Sequence, residues 1–208
     1  PPPKQFAHTK KMADFLKDEI GAPNSAIIPY ANQVVVLAEI FRVIGNPSAG
    51  QYAAIKRWFW RTTITGYFSG WNTGQMASDQ AAVSDFVAGD MDAIDKDLLQ
   101  PPQEIWTTRQ FRANNASAKM FGLMISQKGP RDLVTGQKVA LETALAWENS
   151  REYHHFFPQA FLKANKTNTR HINCIANFVL LTSSSNKQIS GSAPSEYLKR
   201  CQDHFGDE

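Results

Sequence analysis

Two adjacent histidines, His154 and His155, stand in the run Glu152-Tyr153-His154-His155-Phe156-Phe157-Pro158. Asn177 and Asn186 follow, and then Pro194-Ser195-Glu196-Tyr197-Leu198. These residue types could hydrolyse a phosphodiester. A neutral imidazole can take a proton from water. Imidazole nitrogens and amide oxygens can ligate a divalent metal that bridges the scissile phosphate and the leaving oxygen. A side-chain amide can fasten a loop by hydrogen bonds to its backbone. A histidine pair alone says little, since adjacent histidines are more often incidental than catalytic. The information lies in the ordered set.

Elements that could position such a set are legible around it. After Pro130 short apolar runs, Glu152 to Phe157 and Ile175 to Leu181, alternate with long polar loops and read as two strands. A final helix opens at Pro194-Ser195-Glu196, with proline in its first turn and an acid near the positive end of its dipole. Its Leu198, Cys201 and Phe205 fall on one face, able to pack against the strands. Strand, long loop, strand, helix is a ββα unit, and one this small must lean on the helices before it.

Those earlier residues read as helices. Val34, Leu37, Phe41 and Ile44 share one face of a helix that Gly45-Asn46-Pro47 stops. Ser48 can cap the next, lined by Tyr52, Ile55, Phe59 and Thr62 or Thr63 and flanked by Trp58 and Trp60. Met76 to Val87 forms a shorter amphipathic helix. Pro101-Pro102 is a break. A further helix is predicted from about Gln110 to Ile125, ended by Lys128-Gly129-Pro130. Trp58, Phe59 and Trp60 could stack a nucleobase, but a helical core accounts for them better.

From about Gly129 to Arg200 the chain resembles the C-terminal HNH domain of GmrSD-like restriction endonucleases, DNA-defence proteins of bacteria. The residues that carry the resemblance are Asp132-Leu133-Val134-Thr135-Gly136, His154 to Pro158, Asn177-Phe178-Val179-Leu180-Leu181, Asn186, and Ala193 to Leu198. Ile28-Pro29-Tyr30, Arg57-Trp58-Phe59-Trp60 and Tyr67-Phe68-Ser69 look like the helical region that precedes the nuclease in that family. The chain is also similar to the HNH domain of the large RNA-guided CRISPR nucleases, which share His155, Pro158, Gln159, Phe161, Leu162, Lys163 and the step from Asn177 to Asn186. Those enzymes carry an Asp where this chain has His154.

The resemblance implies a mostly helical α+β protein: a helical region over 1–128, then a ββα-metal (HNH, or His-Me finger) nuclease unit over 129–208. It implies His155 as general base, His154 and Asn186 as metal ligands, and Asn177 as the residue that fastens the loop. Glu152 could orient His154 by a hydrogen bond, and Lys163, Lys166, Arg170 and Lys187 could contact DNA phosphates. The cofactor expected is Mg²⁺ or Mn²⁺. Because His154 brings no negative charge, the site should hold Mg²⁺ weakly and accept Mn²⁺, Co²⁺ or Ni²⁺ well. The family further implies a bacterial anti-phage restriction role and an N-terminal NTP-hydrolysing sensor domain that this sequence lacks. The competing reading is a catalytically silent HNH-like module that binds nucleic acid or protein.

Charge fits a polyanionic partner. The net charge is only +3, but it is unevenly placed. From Gln159 to Arg200, Lys163, Lys166, Arg170, Lys187, Lys199 and Arg200 face one acid, Glu196. Arg109 to Lys138 holds Arg109, Arg112, Lys119, Lys128, Arg131 and Lys138 against Asp132, whereas Trp71 to Thr108 is acidic. No apolar run approaches the ~18–20 residues of a membrane span, and no N-terminal leader is evident. Two cysteines, Cys174 and Cys201, without a CxxC argue against a four-cysteine zinc knuckle and for a reducing cytoplasm. A start at Pro1-Pro2-Pro3 without Met suggests a piece of a longer protein.

Overall fold

The computed structural model describes residues 7–95, 98, 100, 103–112, 115–140 and 153–205. The described residues are mostly helical, with a small two-stranded sheet. It divides into two compact units, Pro1–Ala22 with Ile28–Pro102, and Pro23–Ile27 with Gln103–Glu208.

The first unit holds α1 (Ala7–Asp18), α2 (Ala31–Ile44), α3 (Ala49–Thr65) and α4 (Thr73–Ala88). The starts of α3 and α4 and the end of α3 have local causes. Ser48 Oγ accepts from the Gln51 N–H while Gln51 Oε1 accepts from the Ser48 N–H, and Asn72 and Gln75 form the same reciprocal cap. That cap starts α4 at Thr73, a turn before the apolar pattern begins. Gly66 ends α3 at a φ of +76°, which a side chain would resist. Phe15, Leu37, Phe41, Ile55, Trp58 and Phe59 form the buried core, with Trp58 only 1% exposed. Inside it, the Gln33 amide of α2 donates to the hydroxyls of Thr62 and Thr63 on α3, so the buried polar groups satisfy one another.

The second unit holds α5 (Ile105–Thr108), α6 (Ala116–Ser126), β1 (Tyr153–His155), α7 (Gln159–Ala164), α8 (Thr169–Ile172), β2 (Phe178–Leu180), α9 (Ser183–Ile189) and α10 (Pro194–Phe205). Residues 103–128 belong to this unit, and α6 packs on the single turn Ile175–Asn177 that leads into β2.

The helix expected from Gln110 starts later, at Ala116. Gln110 instead bridges to Cys174, the Phe111 N–H donates to Asn173 O, and Asn115 caps the helix through the Ala118 N–H. A capping side chain and a cross-chain bridge outcompete helix propensity there.

The sheet is antiparallel, pairing Tyr153 with Leu180, His154 with Val179 and His155 with Phe178. Directly paired residues share a face, and successive residues alternate. On one face Phe178 stacks on Phe111 at 3.9 Å, Tyr153 lies 5.0 Å from the Phe111 ring, and the His155 ring lies 4.3 Å from that of Phe178. On the other, Val179 packs with Leu133, Val134 and Leu198 against a buried cluster of Leu181, Ile189, Tyr197 and Cys201. Helices α9 and α10 therefore cover the face that His154 shares with Val179. The loop expected to be long between the strands contains two short helices, α7 and α8. Both cysteines are buried thiols outside any disulfide.

Candidate functional site

His155 closes β1, half-buried, its ring against Phe178. Its Nε2 lies 3.1 Å from Asn173 Oδ1 and 3.2 Å from the Gln159 amide nitrogen. That amide also donates to Asn173 Oδ1, at 3.4 Å. Burial pulls the imidazole below its ordinary value of 6.5. The hydrogen bond with Asn173 opposes this, and the charge of Lys163 adds to it. His155 is thus neutral at physiological pH, the state in which imidazole accepts a proton.

Asn177 holds the chain just beyond His155. Its side chain is 5% exposed as a residue and fully engaged. Oδ1 accepts from the Phe157 N–H at 2.8 Å, and Nδ2 donates to Phe157 O at 3.2 Å and to Ile172 O at 2.8 Å. The Phe156 N–H donates to the Asn177 carbonyl at 2.9 Å. One amide therefore reads both polar groups of Phe157 and ties them to the end of α8. From the other side, the Tyr197 hydroxyl of α10 donates to Phe156 O at 2.6 Å.

Asn186 sits in the middle of α9, partly buried, one turn before Ile189. Residues three apart lie on one helix face, so Asn186 neighbours the face that Ile189 packs towards Val179. His154 is on that same side of the sheet. Asp132, 2% exposed, fixes where α9 begins. Its carboxylate accepts from the N–H groups of Val134, Thr135 and Thr182, at 2.9, 3.0 and 2.9 Å, and from Ser185 Oγ at 2.7 Å. Burial alone would push that carboxyl up. The Thr182 and Ser185 bonds, followed by those from Thr135 and Val134, hold it below the usual carboxylate value. Thr182 in turn caps α9, accepting from the Ser185 N–H.

His155, Asn177 and Lys163 come together at the end of β1, and His154 is paired with Val179 in the sheet. Lys163, Lys166, Arg170 and Lys187 are exposed, and none of them forms an ion pair among the described residues. Glu152 lies outside the described residues. Among those described, no three or more His, Cys, Asp or Glu residues gather as a metal cluster. No described helix is long and apolar enough to cross a membrane.

Sequence reading missed Asn173, whose only signal is an asparagine four residues before Asn177. It also gave no role to Asp132 or Gln159, although both stand in the runs that carry the resemblances.

No family model matches the chain, and no solved structure matches it. Over 176 residues, 82% of the chain, it is 20% identical to an uncharacterized protein of Methanocaldococcus jannaschii. The chain spans 28% of that relative's length.

Proposed function

We propose that the second unit is an HNH-type, metal-dependent phosphodiesterase module acting on DNA, the C-terminal nuclease part of a GmrSD-like restriction system of the bacterial cytoplasm. The observation that carries this reading is the environment of His155. It is a half-buried imidazole at a strand end, its pKa lowered by that burial, with the following residues clamped by a buried asparagine amide.

In this reading His155 takes the proton of the attacking water, which turns a weak nucleophile into a strong one at neutral pH. The Asn177 clamp fixes the backbone from Phe156 to Phe157, and so the position of that imidazole. His154 and Asn186 would hold the divalent ion, Mg²⁺ or Mn²⁺, which when bound supplies Lewis-acid stabilisation of charge on the leaving oxygen. Lys163, Lys166, Arg170 and Lys187 hold the phosphate backbone without reading sequence. A sensor domain that hydrolyses NTP would lie outside this sequence and control when the module cuts.

The test is nicking of supercoiled plasmid with Mn²⁺ by the wild-type chain and by His155→Ala. Loss of a general base should lower the rate roughly 10²- to 10⁴-fold in a protein that keeps its fold. Equal nicking by the folded variant would overturn the assignment. Metal-independent DNA binding without cleavage would favour the silent binding module, and cleavage confined to RNA would replace the substrate.

A further inference from the structure

We propose that Asn173 is a positioning residue that holds His155 as the tautomer protonated on Nε2, so that Nδ1 is the atom that takes the proton from water. The proposal rests on the nuclease reading for its consequence. Its structural half can be tested without it.

A neutral imidazole has one N–H and one lone pair. His155 Nε2 faces two side-chain atoms with opposite demands. Asn173 Oδ1, 3.1 Å away, can only accept and asks for a proton on Nε2. The Gln159 amide nitrogen, 3.2 Å away, can only donate and asks for a lone pair there. One nitrogen cannot satisfy both.

The surroundings of Asn173 decide between them. Its own Nδ2 donates to Thr169 O at 3.4 Å, which turns Oδ1 towards His155. Its backbone is held at both groups, the N–H donating to Thr169 O at 3.2 Å and the carbonyl accepting from the Phe111 N–H at 2.8 Å. Gln159 is exposed, and its amide has a second acceptor in Asn173 Oδ1 itself at 3.4 Å. The consistent network is therefore one in which Asn173 Oδ1 accepts from both His155 Nε2–H and the Gln159 amide. The lone pair then falls on Nδ1, which has no hydrogen bond among the described residues.

The residue type matters as well as the place. A carboxylate at 173 would fix the same tautomer but stabilise the imidazolium, so the base would be partly charged before reaction. An amide oxygen orients the ring and leaves it neutral.

The experiment uses the full chain labelled with ¹⁵N-histidine. Long-range proton–nitrogen spectra are recorded above the titration of His155, and its signals are assigned by their loss in His155→Gln. The proposal expects a protonated Nε2 and an unprotonated Nδ1 for His155. In Asn173→Ala the tautomers should become mixed, and kcat should fall about 10- to 100-fold with KM little changed, the usual scale for a group that orients a working histidine. In Asn173→Asp, whose carboxylate can only accept, the Nε2-protonated tautomer should persist. That second variant decides the matter if Asn173→Ala does not fold. A proton on Nδ1 in the wild type overturns the proposal. So does an unchanged tautomer in Asn173→Ala, or a lost one in Asn173→Asp. A wild-type chain that shows the expected tautomer but cleaves nothing leaves Asn173 as the orienting group and overturns the nuclease reading instead.

Discussion

Asn177→Ala removes an amide that makes three hydrogen bonds, and the burial of the partners sets the cost. The Ile172 carbonyl belongs to a residue 1% exposed, so its lost donor leaves a desolvated oxygen, at about 1–2 kcal/mol. Phe157 is 41% exposed, so water can replace the amide at its N–H and carbonyl, and each of those bonds is worth about 0.5–1 kcal/mol net. The total is about 2–4 kcal/mol, a large part of the stability of a small unit. Asn177→Asp discriminates further. It keeps the acceptance from the Phe157 N–H but sets a carboxylate oxygen against the Phe157 and Ile172 carbonyls. It should therefore cost at least as much as alanine at neutral pH, and recover in part as the carboxyl is protonated in acid. Urea denaturation followed by circular dichroism gives the energies, and amide exchange at Phe157 reports the clamp directly. A loss under about 1 kcal/mol in both variants, with Phe157 exchange unchanged, would refute the reasoning.

The acid limb of the kcat/KM profile should have its midpoint below 6.5, because burial depresses His155, and Lys163→Ala should move it upward by removing a repelling charge; a midpoint above 6.5 in the wild type would contradict this. For Asp132, whose folded pKa is depressed, stabilisation is fully present above the unfolded value of about 3.9 and is lost as pH falls through the lower folded value. Asp132→Ala should accordingly cost about 3 kcal/mol at pH 7 and progressively less as pH falls through the folded value, read from denaturation midpoints across pH. His154→Ala and Asn186→Ala should raise the half-activating Mn²⁺ concentration more than they weaken DNA binding, and an unchanged Mn²⁺ titration would mean that other residues hold the ion. Lys163→Ala, Lys166→Ala and Arg170→Ala should each make the slope of log affinity against log salt shallower by roughly 0.9 on duplex DNA, measured without metal, and a triple variant with the wild-type slope would place the DNA elsewhere.

The helices at Ala31–Ile44, Ala49–Thr65 and Thr73–Ala88 were legible because their signals are sequence-local. Ser48 with Gln51 and the 3- and 4-residue spacing of Val34, Leu37, Phe41 and Ile44 act within one turn or two. The strand cores at His154-His155 and Phe178-Val179-Leu180 were legible for a related reason, being apolar islands between polar loops. The start of α6 was not. Gln110 and Phe111 are drawn out of the helix by partners more than sixty residues away, Cys174 and Asn173, and nothing in the local pattern announces them. Asn173 was hidden in the same way. It meets His155 eighteen residues upstream, and an asparagine among Asn165, Asn168 and Asn177 gives no sign of which one will do so. Local signals fix elements, whereas the polar contacts that aim a side chain are non-local.

The size of the sheet explains why those contacts are so many. Two strands of three residues bury little and make few ladder bonds, so a pair this short has no independent stability in water. It cannot hold the His155 ring to within a fraction of an ångström by itself. Side chain to backbone bonds from outside the sheet take over that task. Asn177 grips Phe157, Tyr197 grips Phe156, and Asp132 grips Thr182 and Ser185. The first two land within two residues of His155, and the last lands beside Asn186. The clamps converge on the neighbours of the residues assigned to chemistry, from α10, from the turn before β2 and from the loop at Asp132. Weakening any one clamp should cost more in rate than global stability alone would suggest, because a displaced base fails while the unit is still folded.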